Sequence, residues 1–230
     1  MSTSMNRIPE QPAAPPSPVE VNTVGEFDLV RDQSWWEIYQ DSFSANEREP
    51  EGVILESLRK RVGVAYRARS NGATVGLGTT HLLMEPAAVF LVYLAVGREH
   101  RGEGLGAELL ELAWRDSAAR LVDMGLKPQG MVWEVDPPDF PADPAQMTLR
   151  KRRIAFFQRH AGVPLNRPYF QPPLAGGDPV PMQLMFRPGA NMPLPDEEMV
   201  RALVKAIYLE KYGAINKIPE STLTELLARQ

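Results

Sequence analysis

From about Val19 onward the spacing of hydrophobic and polar positions switches between strand-like and helix-like. Val19–Val24 reads as a short first strand. Ser34–Phe43, with Trp35, Trp36, Ile38, Tyr39 and Phe43, reads as a helix. Glu51–Val62 reads as a second helix, because Ile54, Leu55, Leu58 and Val62 recur at helical spacing. Three strands are predicted next, Gly63–Arg69, Ala73–Met84 and Ala87–Val96. The first two flank Ser70-Asn71-Gly72, and Asn-Gly between apolar runs is a strong hairpin signal. Gly104–Met124 is the most periodic helix, with Leu105, Leu109, Leu112, Ala119 and Val122 on one stripe and Gly125 to end it. Met131–Val135 reads as a buried strand, followed by a loop with Pro137, Pro138, Pro141 and Pro144. A basic helix over Thr148–His160 and a strand pair, Pro168–Gln171 with Pro181–Phe186, close the main body. Pro195–Tyr212 and Thr222–Leu227 read as two helices packed onto it. The pattern predicts an α/β fold: a mixed, mostly antiparallel central sheet with helices on both faces and a C-terminal helical appendage.

Composition narrows this picture. The chain has 230 residues, enough to bury about 70% of its unfolded surface without disulfides or metals. The 17 glycines and 22 prolines exceed their average share of about 12%. The excess is local: Pro9, Pro12, Pro15, Pro16 and Pro18 mark residues 1–18 as a disordered tail. Residues 19–190 are then the main domain and 191–230 the appendage. There are no cysteines, which excludes disulfide frameworks, thiolate metal sites and cysteine nucleophiles. A net charge of −4 gives no bulk attraction to nucleic acid or anionic membrane. The longest apolar run, Ala87–Val96, is too short for a bilayer, which needs about 20 residues. With no secretory signal pattern at the N-terminus, a soluble cytoplasmic protein is expected.

One segment carries chemistry. The strand Val89–Val96 leads through Gly97-Arg98-Glu99-His100 into Arg101-Gly102-Glu103-Gly104-Leu105-Gly106-Ala107, the entry to the long helix. Glycines there let a ligand approach the backbone, and free amides at a helix start suit a phosphate. Gly102-x-Gly104-x-x-Ala107 also satisfies the dinucleotide fingerprint, but Gly97–Arg101 separate it from its strand. The acidic residue expected about 20 positions on would fall near Asp123, inside the helix. No Gly-Lys-Ser/Thr follows, so the P-loop pattern fails as well.

Leu94-Ala95-Val96, four residues, then Arg101-Gly102-Glu103-Gly104-Leu105-Gly106 resembles the acyl-CoA signature of the GNAT (GCN5-related N-acetyltransferase) superfamily. The order of elements from Val19 to Pro188 is similar too. The resemblance implies that Arg101, Gly102, Glu103, Gly104, Leu105, Gly106 and Ala107 hold the pyrophosphate of acetyl-CoA. It implies that the backbone around Leu94 and Val96 pairs with pantetheine, with an N–H near Val96 polarising the thioester. The acceptor amine would attack the thioester directly, without an acyl-enzyme and without a metal.

Such an attack needs a neutral amine, so a carboxylate or a water chain must take a proton from a group of pKa near 10.4. Glu134, mid-strand in an otherwise apolar run, is the first candidate; alternatively it pairs with Arg152 or Arg153, or faces solvent. Its replacement by Gln is expected to lower turnover most at low pH, where base catalysis matters more. His81 and Glu85 are weaker candidates. The family's general-acid tyrosine corresponds to Phe157 here, so Tyr169 or water is left to protonate the thiolate. The basic run Arg150–Arg153 with Arg159 reads as a solvated face; a middle reading brings one or two of its arginines to the CoA phosphates, and a nucleic-acid surface is the disfavoured alternative. Asp136, Asp139 and Asp143 line an acceptor site for a cationic amine or are ordinary turn residues. The expected partner is a small-molecule or peptide amine, with neither nucleic acid nor membrane, and the C-terminal helices pack on the parent domain, close a homodimer or cover the acceptor. The expectation is an acetyl-CoA-dependent N-acetyltransferase. The alternatives are a catalytically silent acyl-CoA sensor or interaction module and, disfavoured by the fingerprint, a dinucleotide-dependent oxidoreductase.

Overall fold

The structure, a computed structural model, describes residues 19–137, 143–174 and 176–229. The Pro-rich tail and Asp139 lie outside the described residues. The strands are β1 (Glu20–Val24), β2 (Gly63–Ser70), β3 (Ala73–Met84), β4 (Ala87–Val96), β5 (Gly130–Val135), β6 (Val163–Pro164), β7 (Tyr169–Gln171) and β8 (Val180–Pro188). The helices are α1 (Glu26–Arg31), α2 (Gln33–Ser42), α3 (Glu51–Arg59), α4 (Leu105–Asp123), α5 (Pro144–Arg159), α6 (Glu197–Ala206) and α7 (Glu220–Ala228), with a π-helical segment, Ile207–Gly213, continuing α6. The sheet order is β1-β2-β3-β4-β5-β8-β6, with β7 also on β8. Among the described residues every pairing is antiparallel except β4 with β5. A parallel pair requires a crossover, and α4 supplies it.

Local chemistry sets several boundaries. Asn71 and Gly72 both take positive φ, 51° and 81°, which matches the twist a two-residue hairpin needs. Asp32 caps α2 by accepting from Trp35 N at 3.1 Å. Asp143 accepts from Ala145 N and Gln146 N, both at 2.9 Å. That cap, with Pro144 in the first turn, starts the basic helix four residues before the predicted Thr148.

Alternation along the strands sorts the core by face. Val89, Leu91, Met131, Trp133 and Val135 point to one side, beneath Leu105, Leu109 and Ala113 of α4 and Phe157 of α5. On the other side Trp35, Tyr39 and Ile54 of α2 and α3 cover Ala65, Leu77 and Tyr93. Beside them Val200, Leu203, Val204 and Tyr208 cover Phe90, Val132, Leu184 and Phe186. The C-terminal helices therefore pack on the main sheet. The predicted α4 stripe holds for Leu105 and Leu109 but then turns: Ser117 and Leu121 are buried, while Ala119 and Val122 are exposed. Ser117 is held inside by the Tyr66 hydroxyl at 2.8 Å and Thr80 Oγ1 at 2.7 Å. Among the described residues no helix is long and apolar enough to cross a membrane.

Candidate active site

The cleft originates in an irregularity of β4. Thr79 pairs with Tyr93 but Thr80 pairs with Leu91, so Val92 is an extra residue, a β-bulge. Beyond it β4 stays with β3, while β5 leaves: the parallel pairing ends at Leu91 with Trp133. Glu134 and Val135 pair only with Leu184 and Gln183 of β8. Gly97 N donates to Val75 O across β3 at 2.9 Å. By alternation, the N–H and C=O groups of Leu94 and Val96 face the opposite, open edge. Val96 O there accepts from Arg101 Nε at 3.1 Å, which folds the arginine back over the end of the strand.

The glycine segment opens onto the same end. Gly102 and Gly104 have φ of +91° and +87°, conformations that disfavour any side chain. Gly104 is the N-cap of α4 and, among the described residues, no side chain caps this helix. Ala107 N and Glu108 N return to Gly104 O, and the amides of Leu105 and Gly106 precede them in the uncapped first turn. A Cβ at Gly102 or Gly104 would meet only open space. Gly106 lies under the Phe156 ring and the Val96 side chain, 3.6 and 3.8 Å from where its Cβ would be. Residues Arg101 to Gly104 are exposed, Glu103 reaching back to His100 at 3.2 Å, and Leu105 turns into the core. These residues form an exposed, positively polarised loop beside an unpaired strand edge.

Glu134 lies across the cleft, on the same face as Val132 and the C-terminal helices. Its carboxylate accepts from the Tyr169 hydroxyl, from Gln171 Nε2 at 2.7 Å, and from the Tyr212 hydroxyl at 2.9 Å to each oxygen. The residue keeps some solvent-facing surface, but the carboxylate is ringed by packed side chains. Desolvation outweighs the three donors and pushes its pKa up to about 7, with Glu49 adding to the rise. Burial and the nearby carboxylate push the phenols of Tyr169 and Tyr212 well above their usual value. Both remain hydroxyl donors.

Thus Glu134 and Tyr169, candidates from separate strands, are brought into direct contact. The alternatives for Glu134 do not hold, because its bonds go to these tyrosines and Gln171. Arg153 pairs with Asp136 at 3.0 Å, and Arg150 approaches the same carboxylate at 3.7 Å. Asp143 is spent on the α5 cap. Phe157 is buried against Trp133, ring centroids 4.6 Å apart. His81 is buried beside Ser57 Oγ at 3.4 Å; desolvation and the Lys211 charge lower its pKa to about 3, which keeps it neutral. Glu85 is exposed at the end of the β3–β4 hairpin.

Sequence reasoning missed a second ring of residues. Lys211 and Glu49, each side chain 2% exposed, form an ion pair at 2.5 Å. Asn216 Nδ2 donates to Glu49 Oε1 at 2.7 Å. Tyr39 Oη donates to Glu49 O and Glu49 N to Tyr93 Oη, each at 2.9 Å. The only sequence signal was a charged Lys211 and a hydroxylated Tyr212 on the apolar stripe of a C-terminal helix.

Comparison with known proteins fits this geometry. Residues 32–144 match the sequence pattern of the acetyltransferase (GNAT) family. A solved structure assigned to that family, from Bacteroides thetaiotaomicron, aligns with 84% of this chain and 98% of its own at 22% identity and a TM-score of 0.63. An aminoglycoside 6′-N-acetyltransferase complexed with coenzyme A aligns over 77% of this chain and 99% of its own, with 16% identity and a TM-score of 0.55. A Salmonella typhimurium protein assigned as an acetyltransferase, solved with acetyl-CoA, aligns over 79% and 99%, with 16% identity and a TM-score of 0.52. No curated protein matches the chain in sequence. Residues 32–144, from the start of α2 to the start of α5, therefore form an acetyltransferase (GNAT) family domain.

Proposed function

We propose that the protein moves an acetyl group from acetyl-CoA to an amine by direct attack of the amine on the thioester. The observation that carries this reading is Glu134, a carboxylate with pKa near 7 at the mouth of the opening between β4 and β5. A base poised near neutral pH is suited to taking a proton from an incoming ammonium or amine.

The residues present fit the donor. The uncapped start of α4 and the exposed glycines suit a pyrophosphate, and the open edges of Leu94 and Val96 suit the amides of pantetheine. The N–H of Val96 or its neighbour would polarise the thioester carbonyl. In the transfer a C–N bond forms, the C–S bond breaks and the sulfur keeps the electron pair. The amine's proton goes to Glu134. Until then Tyr169 is committed to the carboxylate; once Glu134 is protonated, the Tyr169 hydroxyl is released to donate toward the departing thiolate. That thiolate, if close to a free thiol of pKa about 8.5, also leaves unaided.

The test exploits the absence of cysteine. A thiol reagent has no protein background, so its signal with acetyl-CoA reports released CoA. Titration calorimetry with acetyl-CoA, with NADH as control, comes first; binding of acetyl-CoA alone is the expected result. Release is then measured with aminoglycosides, polyamines, amino acids and peptide N-termini. Binding of acetyl-CoA with no release across that panel would instead favour a sensor, and no binding would remove the reading altogether.

A further inference from the structure

The reading of Glu134 as the base leaves open what its buried partners do, and here the C-terminal segment matters. We propose that Tyr212, on the π-helical segment after α6, is a positioning residue for acyl transfer that holds the Glu134 carboxylate ionised and in place.

Three observations carry this. First, the Tyr212 hydroxyl lies 2.9 Å from both carboxylate oxygens, a bifurcated contact that fixes the plane of the group as well as its charge. Second, the hydroxyl is itself held: Gln171 Nε2 donates to it at 3.3 Å, and the ring packs edge-on against Phe90 at 6.3 Å. Third, the adjacent Lys211 is anchored by its buried pair with Glu49. Glu210 accepts from Met84 N at 2.7 Å and tethers the segment to the end of β3. A π-helical turn is rare and is frequently found at functional sites. Here it sets Glu210, Lys211 and Tyr212 against three separate targets: β3, Glu49 and Glu134.

The polar groups facing Glu134 come from every element around it. β7 provides Tyr169 and Gln171, the π-helical segment provides Tyr212 with Lys211 behind it, and the segment before α3 provides Glu49. On its own strand's extension Asp136 is taken up by Arg150 and Arg153. Of these, Tyr212 alone comes from the C-terminal helices and donates directly to the carboxylate.

A hydroxyl that donates to a carboxylate favours its charged form, so removing it raises the carboxyl pKa. The experiment follows the Glu134 carboxyl by carbon-13 NMR titration of the whole protein without donor or acceptor, with Glu134→Gln to assign the signal. Tyr212→Phe is expected to move the midpoint upward by about one pH unit, the scale of a hydrogen bond to a charged group. If the protein transfers acetyl groups, its rate should fall about eightfold at pH 6.5 and change little at pH 9. Replacement of Tyr212 by 3-fluorotyrosine, a more acidic phenol, should move the midpoint down. Ile207→Val, which loosens the same segment without touching Glu134, should leave it in place. An unmoved midpoint in both Tyr212 variants would overturn the proposal. Because the titration needs no turnover, that result is distinguishable from a failure of the acetyltransferase reading.

Discussion

At the scale of a residue, the decisive quantity is the pKa of Glu134. An ordinary glutamate, near 4.3, would serve as a base well into the acid range, and its loss would then be felt most at low pH. Burial reverses that expectation. With the pKa raised to about 7, Glu134 is largely protonated at pH 5.5 and reaches its full effect as a base only above neutrality. Glu134→Gln should therefore cost most above pH 7, by the 10²–10⁴-fold typical of a general base. The rising limb of the wild-type profile near pH 7 should flatten. A variant as active as wild type at pH 8 would remove Glu134 from the mechanism. Stability should carry the same signature with a definite sign. A carboxyl whose folded pKa lies above its unfolded value binds more protons in the native state, so its contribution falls as pH rises between about 4.5 and 7. Relative to Glu134→Gln, wild type should lose on the order of 3 kcal/mol between pH 4 and pH 8, measured by urea unfolding. Glu134 was legible in the sequence because a charge stood alone in an apolar strand. Its partners were not: Tyr212 is separated from it by 78 positions, and no local pattern encodes such a contact.

At the scale of an element, the fold was largely legible, because its strands and long helices carry their own periodicity and turn chemistry. β3 and β4 fall at the predicted residues, bounded by Asn71-Gly72 and by Glu85-Pro86. The short pieces α1 and β6 span too few residues to show a period. The bulge at Val92 was hidden as well, since an extra residue in a run of apolar side chains leaves the composition unchanged. The loop before α4 gives a prediction that separates folding from binding. Gly104 has φ +87° and open space beside its missing Cβ, so Gly104→Val meets no clash within the protein. Its cost is backbone strain, about 1–2 kcal/mol, and the domain should still fold. The new side chain would stand in the space assigned to the pyrophosphate, and acetyl-CoA binding by calorimetry should be lost. Retained affinity would sink the loop assignment. Gly130 makes the opposite case. A Cβ there would overlap Arg187 O and the Phe186 ring, where β5 enters its pairing with β8. Gly130→Ala should lower stability by about 1–3 kcal/mol through overpacking, and a thermal melt would show it.

At the scale of the whole molecule, the question is whether the C-terminal helices are an attachment or a part of the working fold. Their apolar face covers the sheet beside Glu134, and the Glu49–Lys211 pair ties them to the helical layer that begins the chain. A buried pair of this kind has a recognisable energetic form. Removing one partner leaves an uncompensated buried charge and costs about 3–5 kcal/mol, whereas replacing both by neutral side chains is often near neutral. Glu49→Gln and Lys211→Met should each be strongly destabilising, and the double variant should recover most of the loss. Gln at 49 keeps an acceptor for Asn216. Glu49 also reaches the site electrostatically, because it helps to raise the pKa of Glu134. Glu49→Gln removes that negative charge and leaves a bare Lys211, so the Glu134 midpoint should move down. Lys211→Met leaves Glu49 uncompensated, so the midpoint should move up. A structural clamp alone would shift stability in both variants and the midpoint in neither. Opposite shifts, cancelling in the double variant along with the stability loss, are what a single charge-balanced unit running from the first helices to the last requires.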